Sequence, residues 1–305
     1  MKTQTLLLQI SLLCFAVLFS ASARAQNFDT AKIEQIIGLK GAFNTNEGVF
    51  KVTAPRTDVK VAVDGWTMPP FMGLASWAAF TEQKADDVMV MGDTVLFQDE
   101  VNPVMSTALD NGLSVTALHN HFFFDEPKVY FMHINGTGSA EKLATAVKKV
   151  WAKMKEIRAA NPKPATTFGL ASLPATNSIT GKTIDSILGT KGQANNGMFK
   201  VVIGRTTKMP CGCEMTKDMG VNTWAAFAGA DDNALVDGDF AVLEEELQPV
   251  LKSLRHDGIN IVAIHSHMTQ ENPRILFLHY WGRGSTSDLS KSLKAALAQT
   301  NKAEK

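Results

Sequence analysis

Six of the seven histidines in this 305-residue chain fall into two triplets of identical spacing. His119 and His121 are two apart and His133 follows; His265, His267 and His279 repeat the layout 146 residues later. Each triplet reads H-x-H-x11-H within a β-rich segment, Val115–Gly138 or Ile261–Gly284. Between the second and third His stand Asp-Glu-Pro (Asp125–Pro127) or Glu-Asn-Pro (Glu271–Pro273), residues that favour a turn, so each segment reads as a hairpin. Side chains alternate faces along a strand, which sends the first two imidazoles the same way and lets the third meet them from the returning strand. Three convergent imidazoles with a fourth position open are the arrangement of a catalytic zinc. Copper, nickel and iron(II) accept the same ligands, and the competing reading is interior histidines hydrogen-bonded within a hairpin.

Four carboxylates are candidates for acid or base work beside such a centre. Glu100 and Glu246 occupy equivalent places after a strand, and Glu126 and Glu271 lie in the hairpin loops. The bland alternative for Glu246 and its neighbour Glu245 is a helix N-terminus, where the macrodipole favours acidic side chains. Arg56 and Arg205 each end a strand after a Gly-rich stretch and can bind a substrate carboxylate bidentately, or serve as ion-pair partners. The paired glycines Gly136/Gly138 and Gly282/Gly284 read as tight strand-to-helix turns more readily than as an anion cradle. One feature occurs once: Met209, Cys211, Cys213 and Met215 alternate in a soft-ligand pattern suited to Cu(I), while a Cys-x-Cys disulfide needs no metal.

The elements that must position these residues come from a duplication. Ile33–Arg56 matches Ile184–Arg205, Trp77–Phe80 matches Trp224–Phe227, Gly92-Asp93 matches Gly238-Asp239 and Pro103-Val104 matches Pro249-Val250. Each copy predicts a short helix (Asp29–Ile37, Thr183–Leu188), a Gly-punctuated strand pair and two further strands. A helix over Asn102–Asn111 or Gln248–Asp257 follows, then the His hairpin. A last helix, Ala140–Arg158 or Thr286–Gln299, is N-capped by Ser139 or Ser285. The fold class is therefore α/β (α+β), two tandem units with a largely antiparallel sheet and flanking helices. The boundaries are residues 26–158 for the first unit, 181–305 for the second, and a Pro/Ala/Thr/Ser-rich linker over 159–180.

Residues 1–25 read as a cleaved leader: Lys2, an apolar Leu6–Phe19, then Ala23-Arg24-Ala25 before Gln26. This predicts a periplasmic or secreted protein with no stable membrane anchor. Losing Lys2 and Arg24 takes 30 basic residues to 28 against 30 acidic ones, a balance that excludes nucleic acid as a partner and leaves a small-molecule ligand. The segments GDFAVLEEELQPV and HSHMTQENPRILFLHYWGRG, with their first-copy versions, resemble the LppY/LpqO family of bacterial exported proteins over nearly all of Ile33–Gln299. That resemblance implies export and carries no activity with it. The His hairpin is also similar to the zinc site of the acetolactate-decarboxylase-like fold, which implies three-His zinc ligation and a decarboxylase or ester-hydrolase activity. The alternative class is a non-catalytic metal- or ligand-binding protein.

Overall fold

The structure, a computed structural model, describes residues 28–84 and 87–300; the expected leader lies outside the described residues. The first unit runs α1 (Thr30–Ile37), β1 (Gly41–Asn44), β2 (Val49–Pro55), β3 (Ala75–Lys84), β4 (Asp87–Phe97), α2 (Gln98–Asp110), β5 (Ser114–His119), β6 (Val129–Gly138) and α3 (Ala140–Ala160). The second repeats this as α4 (Gly181–Leu188), β7 (Gln193–Asn195), β8 (Met198–Gly204), β9 (Asn222–Ala230), β10 (Asn233–Leu243), α5 (Glu244–His256), β11 (Asn260–His265), β12 (Ile275–Gly284) and α6 (Thr286–Leu297). The α+β class and its large antiparallel sheet are as the sequence predicts. Helices α2 and α5 begin four residues before the predicted start, because Pro103 and Pro249 lie inside the helices rather than at their openings.

All twelve strands form one sheet, ordered β1-β2-β3-β4-β6-β5-β11-β12-β10-β9-β8-β7. Under the equivalence of the two units this order is a palindrome. At its centre β5 and β11 meet through Leu118 opposite Ile264, residues equivalent to each other, so a pseudo-two-fold axis passes through that pair. Two matching clamps flank the axis. Asn102 from α2 accepts from Ile261 N at 2.7 Å and donates to Ile261 O at 3.2 Å. Its equivalent Gln248, from α5, makes the same two bonds to Val115, at 2.9 and 2.8 Å. Each amide side chain stands in for a strand neighbour that the narrow central pairing does not supply.

Alternation along the strands sorts the two faces. Leu118, Met132, Ile134, Phe240, Val242, Ile264, Leu278 and Tyr280 point to the helices and form the main core. The opposite face carries two smaller apolar clusters, one around Val95, Phe97, Val129 and Phe131, the other around Val221, Ala241, Ile275 and Phe277, with the short 3-10 turns Pro70–Met72 and Lys217–Met219 beside them. Short ribbons tie down the loops on this face. Ala62–Val63 pairs with Trp66–Thr67 and with Asp125–Glu126, and Lys208 bridges to Asn272. The interunit segment crosses the same molecule, with Ala165 N donating to Asp99 at 3.1 Å and Phe168 stacked on Trp281 at 4.9 Å. Among the described residues no helix is long and apolar enough to cross a membrane.

Candidate metal centre

Both His hairpins form, and a bulge in each sets where the imidazoles meet. In β11/β12 the register shifts between Ile261 and Ala263, so His279 pairs with Ala263 and His265 pairs with Phe277. The first hairpin shifts at the same place, between Val115 and Ala117, pairing His133 with Ala117 and His119 with Phe131. His265 and His119 end their strands; His267 and His121 stand two residues on, in the loop. What fixes the loop histidine is a phenylalanine. His267 lies flat on Phe277 with ring centroids 3.5 Å apart, and His121 lies on Phe131 at 3.3 Å, both phenylalanines being fully buried.

The next strand inward brings an aspartate. Asp239 on β10 pairs directly with His279, and Asp93 on β4 pairs with His133. In the second unit His265 Nε2 and His267 Nε2 stand 3.2 Å apart, with Asp239 Oδ2 at 3.9 and 3.6 Å from them. Two nitrogens bound tetrahedrally to one zinc are separated by roughly 3.3 Å, so this spacing suits a common ion. The ligand atoms of Asp239, His265 and His267 lie within 4.8 Å of one another, a group that can hold a metal ion. His279 Nδ1 donates to Gly238 O at 2.7 Å, which leaves its Nε2 lone pair free, as in metal-ligating histidines. In the first unit the rings of His119 and His121, and of His119 and His133, lie 5.1 Å apart.

The donors fit a cation on a further count. Asp239 Oδ1 in one unit, and Asp93 Oδ1 in the other, are buried without a hydrogen-bond partner. A buried carboxylate oxygen with no donor is costly, and a bound cation relieves that cost. Burial pushes the Asp239 carboxyl up to about 6 against the pull of His279 and His267. The Asp93 carboxyl is raised for the same reason, opposed by its three histidines. Burial, reinforced by the neighbouring imidazoles, holds His265 below the usual histidine range, and burial does the same for His121. Neutral imidazoles are the form that binds metal.

The carboxylate that converges with the imidazoles in the second unit is Asp239, and in the first unit Asp93 pairs with His133; the four glutamates singled out by sequence make other contacts. Glu100 is fully buried and accepts two bonds from Arg56, at 2.8 and 3.0 Å, and one from Phe97 N at 2.9 Å. Arg158 Nε adds a further contact at 2.8 Å. Glu246 likewise pairs with Arg205 and caps its helix through Leu243 N at 2.9 Å. Every N–H of Arg56 is taken, by Asp58, Glu100 and Val95 O, which leaves none for a substrate carboxylate. Arg205 spends its two terminal nitrogens on Glu246, Ala241 O and Thr300 O. Glu271 accepts from Ile275 N at 3.1 Å, the task Asp125 performs on Val129 N at 2.7 Å, so it closes a loop. Glu126 is exposed and pairs through its backbone with Ala62.

Asp93 and Asp239 had a signal in the sequence: the Gly-Asp pair is identical in both copies. The glycine is required because a Cβ at Gly238 would lie 2.2 Å from the Tyr280 hydroxyl and 2.3 Å from Trp224 O. Cys211 and Cys213 are joined by a disulfide, which removes both thiolates from the soft-ligand set.

Comparison with known proteins agrees with the duplication. The family described as "Domain of Unknown Function (DUF1259)" matches residues 31–153 and again 182–299, and the chain belongs to it. No curated protein matches the chain. Among solved structures, a double-ringed trimeric shell protein from the RMM microcompartment aligns at 12% identity over 70% of this chain and 80% of that one. Its TM-score is 0.18, a superposition too loose to bear on the fold or the site.

Proposed function

We propose that this two-unit member of the DUF1259 family is an exported metal protein with one centre per unit, in which four protein ligands leave a fifth position for a small molecule. Asp239, His265, His267 and His279 hold the second ion, and Asp93, His119, His121 and His133 the first. The observation that carries this reading is the convergence of Asp239, His265 and His267 within 4.8 Å, with a buried, partnerless oxygen on Asp239. Zinc leads, since a mixed imidazole and carboxylate set suits it; copper, nickel and iron(II) follow. When bound, such an ion supplies Lewis-acid polarisation of a substrate carbonyl or ester. The chain supplies the rest: Gly238 O sets the tautomer of His279, and Phe277 and Phe131 fix the loop imidazoles. Hydrolysis or decarboxylation of a small acid or ester is the reaction class this serves. The LppY/LpqO resemblance, the leader ending near Ala25 and the likeness to the acetolactate-decarboxylase zinc site belong to the same proposal. The alternative, a non-catalytic capture protein, shares the centres and differs in turnover alone.

The test is elemental analysis of the protein lacking residues 1–25, for the wild type and for Asp93→Asn and Asp239→Asn. We expect about two zinc per chain, falling by about one in each variant after dialysis against a weak chelator. A folded protein that carries no stoichiometric metal and takes none up on reconstitution would overturn the reading. With metal established, an ester and 2-oxo-acid panel separates enzyme from capture protein.

A further inference from the structure

Beside each histidine cluster, on the same face of the sheet, stands a lysine laid over a tryptophan. Lys51 Nζ lies 4.3 Å from the centre of the Trp77 ring, and Lys200 Nζ lies 4.2 Å from that of Trp224. The register puts each indole next to the centre's aspartate, since Trp77 pairs with Asp93 and Trp224 with Asp239. Trp224 also meets the His279 ring edge-on at 5.9 Å. Both lysines are exposed, and among the described residues neither ammonium has a carboxylate partner.

The two copies differ widely on this face. Thr53 answers to Val202, Met89 to Leu235, Met91 to Asp237 and Asn135 to Trp281. Against that drift, lysine, tryptophan, aspartate and three histidines are unchanged in kind and in place. A surface cation–π pair contributes about 0.5–1 kcal/mol, too little to explain retention of both partners in both copies on stability grounds alone. An ammonium over a half-buried indole, one strand from a metal centre, is chemically a carboxylate dock with a flat apolar floor.

We infer that Lys51 with Trp77, and Lys200 with Trp224, form the substrate subsite of each centre and select small molecules that carry a carboxylate besides the carbonyl group offered to the metal. The lysine takes the carboxylate, the indole face supports the short chain between, and the imidazoles stand at the reacting end. This rests on the metal reading above. It also assigns the anion-binding task that Arg56 and Arg205, held by glutamates, are not free to perform.

The experiment compares two probes on the zinc-loaded full chain by isothermal titration calorimetry. Acetohydroxamic acid needs only an open metal; the monohydroxamate of succinic acid offers the same chelating head with a carboxylate attached. We expect the charged probe to bind about tenfold more tightly, as a charge-assisted hydrogen bond allows. Lys51→Gln with Lys200→Gln should erase that advantage and leave acetohydroxamic acid unchanged, and Trp77→Leu with Trp224→Leu should reduce it. The lysines are exposed and the indoles half-buried, so the folding of each variant is checked by circular dichroism. Equal affinity of the two probes, or an advantage that survives the lysine changes, overturns the inference. If acetohydroxamic acid fails to bind, the open-metal reading falls separately. Succinate alone then decides the subsite: binding that the lysine changes abolish sustains it, and no binding overturns it.

Discussion

Asp239 and Glu246 are both buried carboxylates in the second unit, and what surrounds each gives it a different task. Glu246 meets a guanidinium and a helix-terminal N–H, so its charge is already satisfied. Asp239 meets imidazoles and keeps one oxygen without a donor. Glu246→Gln should therefore leave zinc content intact while lowering stability by about 1–3 kcal/mol in urea unfolding, the cost of weakening a charged pair to a half-buried arginine. Loss of metal with retained stability would reverse the two assignments. Tyr280 gives a pH prediction. Its fully buried hydroxyl donates to Trp224 O at 2.9 Å, and burial, with Asp237 and Asp239 nearby, raises its pKa well above the ordinary value. A phenol whose folded pKa exceeds the unfolded one, about 10, contributes stability that is complete below that pH and lost above it. In alkaline titration, one of the two tyrosines should become tyrosinate only as the fold is lost, and Tyr280→Phe should remove that step. The histidines were legible because each H-x-H and its returning His lie within one hairpin, close in sequence. The aspartates showed only as a repeated Gly-Asp pair with nothing local to tie them to the site, since a residue 26 positions before His265 reaches it only through the register of β10 on β12.

At the scale of elements, the hairpins were readable from alternation and turn residues, and the helix caps Ser139 and Ser285 are where serine before an amphipathic run places them. The starts of α2 and α5 were not, because a proline normally marks a helix opening, whereas these helices extend back to a glutamate that caps its own N-terminus. The clamps on either side of the axis were also invisible: Asn102 and Gln248 are polar residues on helices, and only the meeting of the units reveals their partners. Each makes a pair of bonds to a backbone that has nothing else there. Asn102→Leu should cost about 2–3 kcal/mol in chemical denaturation, since it strands the N–H and C=O of buried Ile261. A change within error would mean that water replaces the amide.

At the scale of the molecule, one sheet spans two copies joined where Leu118 faces Ile264. The duplication was plain in the sequence; its mode of assembly was not, because no local pattern says which strands become neighbours across a repeat boundary. An isolated first unit, residues 28–160, would carry β5 as an open edge beside an unfilled clamp site, and such edges pair. It should dimerise with Leu118 opposite its own copy, giving twice the monomer mass by light scattering; a monomer at micromolar concentration would show that the edge is not what joins the units. Such a dimer obliges both halves to share every substitution, for one gene writes both. Here the axis has been drawn inside a single polypeptide, and the halves have diverged: phenylalanines follow one His pair, Met268-Thr-Gln270 the other, and a disulfide loop stands beside one centre alone. Each centre is therefore free to acquire its own selectivity, and in any experiment on one of them the other serves as a control in the same molecule.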